Sequence, residues 1–244
     1  MILFDEASHT YTVDGNPSLK LTSVSGVLSL LKEKFDADYW SEKKAKERGV
    51  TKEQILQEWE DKKIKSQQRG TAYHLKKEHA INKRSDSFPA QHLSSGLKQS
   101  YDLKNLQPGA YPELIVYSLL HNVVGTADIV EIFPDKTFFL GDHKTNEELK
   151  FESFKRFDKI SKERRPVMMQ PPMQHLQDCS GIHYTLQLSL YAFMLEQFGY
   201  KCKELKIYHA ILDENDECIN VVEYPIEYKK KEAQIILNWF KNKK

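Results

Sequence analysis

A chain of 244 residues, 40% hydrophobic and 29% charged, has enough apolar content for a real core and fits one domain over residues 1–244. No apolar run approaches the ~20 residues that span a bilayer, and Met1-Ile2-Leu3-Phe4-Asp5 lacks the basic and long apolar regions of a signal peptide. The expectation is therefore a cytoplasmic protein with no membrane partner. A net charge of +1 leaves any phosphate-binding surface to local clustering, and three scattered cysteines, Cys179, Cys202 and Cys218, suit neither a disulfide framework nor a four-cysteine iron–sulfur cluster.

In chain order, Phe4 to Val13 reads as a strand that turns at Asp14-Gly15-Asn16-Pro17. Ser23 caps a short helix through Val27, Leu28, Leu30 and Leu31, and Asp36 starts another that stops near Gly49. Thr51-Lys52-Glu53-Gln54 has the form of a capping box and opens a helix with a basic far end at Lys62, Lys63 and Lys65. Gly70-Thr71-Ala72-Tyr73-His74 opens the next helix, toward Lys83, and Leu93 to Asn105 is predicted as a further one. Residues 1–105 thus read as mostly helical, ahead of a core over 106–244.

Tyr111 to Leu120 is β-rich and carries Glu113 near its start, where alternation alone does not say which face the carboxylate takes. Ala127 to Phe133 and Thr137 to His143 flank Pro134-Asp135-Lys136, a tight turn, and make a β-hairpin. Its antiparallel pairing brings Asp128 and Asp142 to one end of the sheet, and Lys144 shares the face of Asp142. Two acids and a lysine converging there suit a hard divalent cation with an ammonium beside it. The bare Asp-x-Lys triplet also occurs at Asp61 and Asp102, so the hairpin context carries the reading; a surface salt bridge at a strand end is the plain alternative.

Segment 146–180 reads as a basic insertion: Lys155, Arg156, Lys159, Arg164 and Arg165 interleave with Phe151, Phe154 and Phe157. That mixture suits single-stranded nucleic acid, while an amphipathic flap with its rings on the core is the competing reading. His175, Cys179 and His183 have a zinc-like spacing, weakened by Ser180-Gly181 between them and by the want of a fourth ligand. Gly181 to Phe198 is the clearest helix, with Gln187 and Tyr191 as neighbours on one face. Leu205 to Leu212 and Ile219 to Tyr224 are strands, and Tyr228 to Trp239 a terminal helix ending near Lys241, Lys243 and Lys244.

Taken together, Asp128, Asp142-His143-Lys144, Gln187-Leu188-Ser189-Leu190-Tyr191, the upstream Gly70 and His74, and Glu113 resemble the PD-(D/E)XK nuclease superfamily. Within it they resemble the RecB-like exonucleases, and the opening, with Tyr11, Asp14-Gly15, Ser23-Val24 and Trp40, is similar to phage exonucleases related to the mitochondrial genome maintenance exonuclease. Ala127 stands where the proline that names the superfamily would be. The resemblance implies an α/β (α+β) fold with a mixed central β-sheet flanked by helices, and Mg²⁺- or Mn²⁺-dependent hydrolysis of DNA by one or two ions. In that picture Asp128, Asp142 and the His143 carbonyl hold the principal ion, with His74 as a further ligand and Glu113 at a second ion. Lys144 orients the attacking water, and Gln187 and Tyr191 hold the scissile phosphate; Lys155, Arg156, Arg164 and Arg165 contact DNA. The implied role is an exonuclease on free ends or single strands, in phage or host recombination, replication or repair, alongside proteins of those processes, and with no iron–sulfur cluster. An endonuclease of structure-specific or restriction type and a non-catalytic nucleic-acid-binding protein are the alternatives.

Overall fold

The computed structural model describes residues 1–16, 18–158 and 162–243, so Pro17, Lys159 and Lys244 lie outside the described residues. In chain order the elements are β1 (Ile2–Asp5), β2 (Thr10–Val13), β3 (Thr22–Ser23), α1 (Val24–Ser29), α2 (Ala37–Arg48), α3 (Lys52–Asn82), β4 (Gln91–His92) and β5 (Lys98–Gln99). There follow β6 (Gly109–Ser118), β7 (Val123–Ile132), β8 (Thr137–Lys144), β9 (Lys155–Asp158), β10 (Glu163–Pro166), α4 (Ser180–Glu196), β11 (Lys201–Leu212), β12 (Cys218–Ile226) and α5 (Lys230–Lys243).

The main sheet is mixed. β12 and β11 are antiparallel, β11 and β8 parallel, and β8, β7 and β6 antiparallel, with the short β3 parallel to the start of β7. Helix α4 crosses one face, burying Leu186, Leu190 and Met194 against Val130, Phe138, Leu140 and Ile207, and α5 adds Ile236, Leu237 and Phe240 to the same core. On the other face a small sheet in the order β2-β1-β5-β4 covers Ile115 and Val124 with Ile2, Phe4 and Tyr11. The architecture is the expected mixed sheet flanked by helices.

Local chemistry sets the helix ends. Ser23 accepts from the Gly26 amide, Asp36 from the Tyr39 amide, and Thr51 and Gln54 close a reciprocal capping box. Gly49 ends α2 at φ +66°, a left-handed position that favours glycine.

Three expectations are corrected. Phe4 to Val13 is two strands, because the chain reverses between Asp5 and Thr10 with the Asp5 carboxylate accepting from the Ala7 amide and the Ser8 hydroxyl. The predicted helix break at Gly70 is absent: α3 runs unbroken over 31 residues, since one glycine costs only ~1 kcal/mol there. Leu93 to Asn105 is not helical. The Leu93 amide bonds to the Leu97 carbonyl across a turn with Gly96 at φ +84°, and β4 and β5 join the small sheet. Buried Leu103 and Leu106 mimic a helical spacing there, but the Asp102 side chain holds a turn at the Lys104 amide. The first 105 residues therefore combine three helices with a sheet of their own.

Candidate active site and metal centre

The site forms where β7 and β8 part. Their ladder ends at Ile129 opposite Gly141, so Asp128 and Asp142 are the next residues on each strand, and β3 takes over as neighbour of β7 at Val123 and Val124. On the other edge of β7, Pro112 pairs with Ile129 and Leu114 with Ala127, which places Glu113 beside Asp128. Three adjacent strands thus deliver three carboxylates in one row.

Strand periodicity changes phase at this row. Core positions in β7 are Val123 and Ala127 before it and Val130 and Ile132 after it; in β6 they are Tyr111 and then Leu114 and Val116. Glu113 itself sits at φ +51°, a conformation that a glutamate adopts only under strain. This kink decides the orientation that alternation left open: the Glu113 carboxylate, the Asp128 carboxylate and the His74 imidazole each offer a ligand atom, all within 4.8 Å of one another. The unbroken α3 supplies His74, whose Nδ1 lies 3.3 Å from Asp128 Oδ2. The His143 amide donates to that same oxygen at 2.7 Å and fixes the carboxylate.

Asp142 takes a different partner. It is 1% exposed, and the Lys144 ammonium lies 2.6 Å from its Oδ2. The approach is an ion pair without hydrogen-bond alignment, and both Asp142 oxygens are buried with no directed donor among the described residues. Lys144 also lies over the Tyr184 ring, 4.6 Å from its centroid, so an aromatic face backs the cation.

The electrostatics follow from this packing. Burial pushes Asp142 up to about 6 against the opposing Lys144 charge, and burial together with the Asp128 charge pushes Glu113 up to about 7. For Asp128 burial acts the same way, but the hydrogen bond and charge of His74, with Lys144 and the His143 amide, outweigh it and hold the carboxyl below its usual range. Burial also opposes the charged forms of His74 and Lys144; the carboxylates outweigh it, raising His74 to about 9 and Lys144 above the ordinary lysine value.

The Glu113 and Asp128 carboxylates with the His74 imidazole, beside the unsatisfied buried oxygens of Asp142 on the adjacent strand, are a donor set that fits a hard divalent ion such as Mg²⁺ or Mn²⁺. His143 contributes through its backbone. Its ring sits among Tyr73, His74 and Tyr208 with both nitrogens unpartnered among the described residues, and burial lowers the imidazole to about 4.

Gln187 and Tyr191 meet as expected from their spacing, the Gln187 amide donating to the Tyr191 hydroxyl at 3.0 Å. Tyr191 is only 4% exposed, so it underlies the carboxylates rather than forming the surface. Gly125 makes room for it: a Cβ there would lie 2.4 Å from the Tyr191 ring.

A cavity of about 600 Å³ opens from His74 and Lys144 and is lined further by Lys62, Gln67, Asn146 and Tyr184. Of these residues Tyr184 had a sequence signal, lying one helical turn before Gln187; the others meet only through the fold. Of the basic insertion, Arg156 is held in a bidentate pair with Glu33 at 2.8 Å for each bond, while Lys155, Arg164 and Arg165 lie on the exposed β9–β10 hairpin. The zinc-like triad does not assemble: Cys179 precedes α4 as its N-cap, His183 pairs with Asp178 at 2.7 Å, and His175 pairs with Glu232 at 3.4 Å. Comparison of the chain with protein-family models and with curated proteins gives no match.

Proposed function

We propose that this protein is a divalent-metal-dependent deoxyribonuclease of the PD-(D/E)XK type, acting on DNA ends or single strands. The observation that carries the reading is the row of Glu113, Asp128 and Asp142 across three strands, with His74 on one side and Lys144 on the other. A structural salt bridge would need Asp142 and Lys144 alone. It would not account for two more half-buried acids placed against their mutual repulsion.

Mg²⁺ or Mn²⁺ held by Asp128, Asp142 and Glu113, with His74 alongside, would make bound water more acidic and offset charge building on the phosphate. The chain's own groups do the rest. Lys144 stays protonated, because Asp142 and Asp128 favour its charge, and it presents an ammonium to the attacking water or to the charge developing on phosphate. Tyr184 limits where that ammonium can swing. The His143 amide fixes Asp128, and the Gln187–Tyr191 pair supports the floor of the site from α4.

The test is cleavage of end-labelled linear single-stranded, linear duplex and closed circular DNA with Mg²⁺, Mn²⁺ or EDTA. Lys144→Ala serves as the control that keeps the metal ligands. Metal-dependent loss of linear DNA with circles spared is the expected result. Cutting of circles would replace the exonuclease reading with an endonuclease one, and activity in Lys144→Ala equal to wild type would remove the assigned site.

A further inference from the structure

The β9–β10 hairpin sorts its side chains by face. Opposed residues of an antiparallel pair share a face, and the pairs are Lys155 with Pro166, Arg156 with Arg165, Phe157 with Arg164 and Asp158 with Glu163. One face therefore carries Lys155, Phe157, Arg164 and Pro166, a ring between two cations with no acidic residue. The other carries Arg156 and Arg165 with Asp158 and Glu163, so both acids fall on the face that is tied down. There Arg156 pairs with Glu33, and Arg165 lies 3.5 Å from Glu163.

Among the described residues the first face is unpartnered. Phe157 is 56% exposed, and among the described residues neither Lys155 nor Arg164 has an acidic partner. The flap reading of this segment, with its phenylalanines on the core, fails at Phe157 and at Phe154, which is 65% exposed; Phe151 does pack, against Tyr224. The hairpin is also held in place. Arg156 fastens it to the segment before α2, the Val167 amide bonds to the Phe154 carbonyl, and the Asp178 amide bonds to the Val167 carbonyl.

Two cavities that share wall residues run from the candidate site toward the hairpin. The cavity at Lys144 includes Glu148 and Lys150 in its wall, and those two residues also line a second cavity of about 590 Å³ that extends past Phe151 to Phe154. A third, of about 500 Å³, lies mainly on the opposite, tied-down face, lined by Glu33, Arg156, Asp158 and Arg165.

We infer that the Lys155–Phe157–Arg164 face is a binding surface for a single-stranded segment of DNA, one base stacking on Phe157 and the flanking phosphates meeting Lys155 and Arg164. The inference rests on the nuclease reading for its choice of DNA. An exposed ring offers its face to any base, and cations on both sides match the charges of a strand that carries one phosphate per nucleotide. Paired bases would present no free face to the ring, so the surface selects single strands.

The test is fluorescence anisotropy of a labelled oligothymidylate in EDTA, which separates binding from cleavage. Phe157→Ala should weaken binding by about 5- to 150-fold, the span of one lost stacking contact, and Phe157→Trp should restore it. The double change Lys155→Ala, Arg164→Ala should lower the slope of log affinity against log salt by roughly 1.4, at ~0.7 per phosphate contact. On an abasic strand of equal length, wild type and Phe157→Ala should bind alike; a penalty that persists there overturns stacking. Affinity for oligothymidylate unchanged in all three variants overturns the surface, as does a wild type that binds no single strand. Weakened binding in a protein that cleaves nothing would keep the surface and discard the nuclease, while cleavage with unchanged binding would do the reverse.

Discussion

Replacing Glu113 with glutamine should stabilise the metal-free protein and remove most of its response to metal. Glu113 has an ordinary value of 4.5 and is pushed up to about 7 in the fold by burial and by Asp128. A carboxyl whose folded value lies above its unfolded value is a penalty. That penalty is absent below pH 4.5, grows as pH rises, and is complete above about 7. At ~1.4 kcal/mol per pH unit the shift corresponds to roughly 3 kcal/mol. That figure is already net of the attraction to His74 and Lys98, so a gain of at most roughly 3 kcal/mol is expected. Urea unfolding in EDTA should show the variant more stable at pH 8 and equal to wild type at pH 4.5. Saturating Mn²⁺ should close that gap at pH 8. At 100 times its dissociation constant an ion adds about 2.7 kcal/mol to the form that binds it, and the variant has lost one of the three carboxylates. Lower stability of the variant at pH 8 without metal, or an equal Mn²⁺ shift in both proteins, would refute the argument that Glu113 is held in place for an ion.

Four further outcomes are expected. Gly125→Ala drives a methyl group into the Tyr191 ring and should cost ~1–3 kcal/mol in urea unfolding, with a fall in cleavage at temperatures where the protein is still folded. His143→Phe replaces a buried imidazole held neutral down to about 4. The wild-type fold loses stability as pH falls from 6.5 toward 4, because the unfolded imidazole protonates first, and the phenylalanine variant should lose this part of the acid sensitivity in unfolding curves across that window. His74→Ala should weaken Mn²⁺ binding by calorimetry. It should also reduce the proton release that accompanies binding below about pH 9, because an ion must displace the proton that Asp128 holds on His74. Tyr191→Phe should lose less activity than Gln187→Ala in a steady-state assay, since the Tyr191 ring packs in the interior while Gln187 is the donor of their bond.

Much of the fold was legible because its signals are local. Ser23, Asp36 and the Thr51–Gln54 box satisfy amides one turn away, and the Pro134-Asp135-Lys136 turn reverses the chain within a few residues. Those contacts form wherever the sequence occurs, so reading them needs no knowledge of the rest. The same holds for Gln187 and Tyr191, neighbours through helix geometry alone. Local signals failed where tertiary packing outweighed a propensity. Gly70 looks like a helix boundary yet lies inside α3, where one glycine costs only ~1 kcal/mol, and the continuous helix carries His74 to Asp128. Leu103 and Leu106 have helical spacing, but Leu103 is buried from a turn and Leu106 from the irregular chain after it.

For the site itself, the hairpin brings Asp128 next to Asp142 and alternation puts Lys144 on the face of Asp142; both follow from sequence through the fixed pleat of a β-pair. The other members depend on distant chain. Whether Glu113 faces Asp128 and His74 or the solvent turns on one left-handed residue that shifts the phase of β6, and period-two reasoning has no term for that. Tyr184 reaches Lys144 only because α4 lies across the sheet, and the acid-free face of the β9–β10 hairpin depends on a register set by pairing. The sequence alone determined which chemical groups exist and which near neighbours they meet, because those distances are set by bond geometry within a turn or a hairpin. Only the tertiary structure decided which of them share a site, because that depends on how helices and strands far apart in the chain pack to bury a common core.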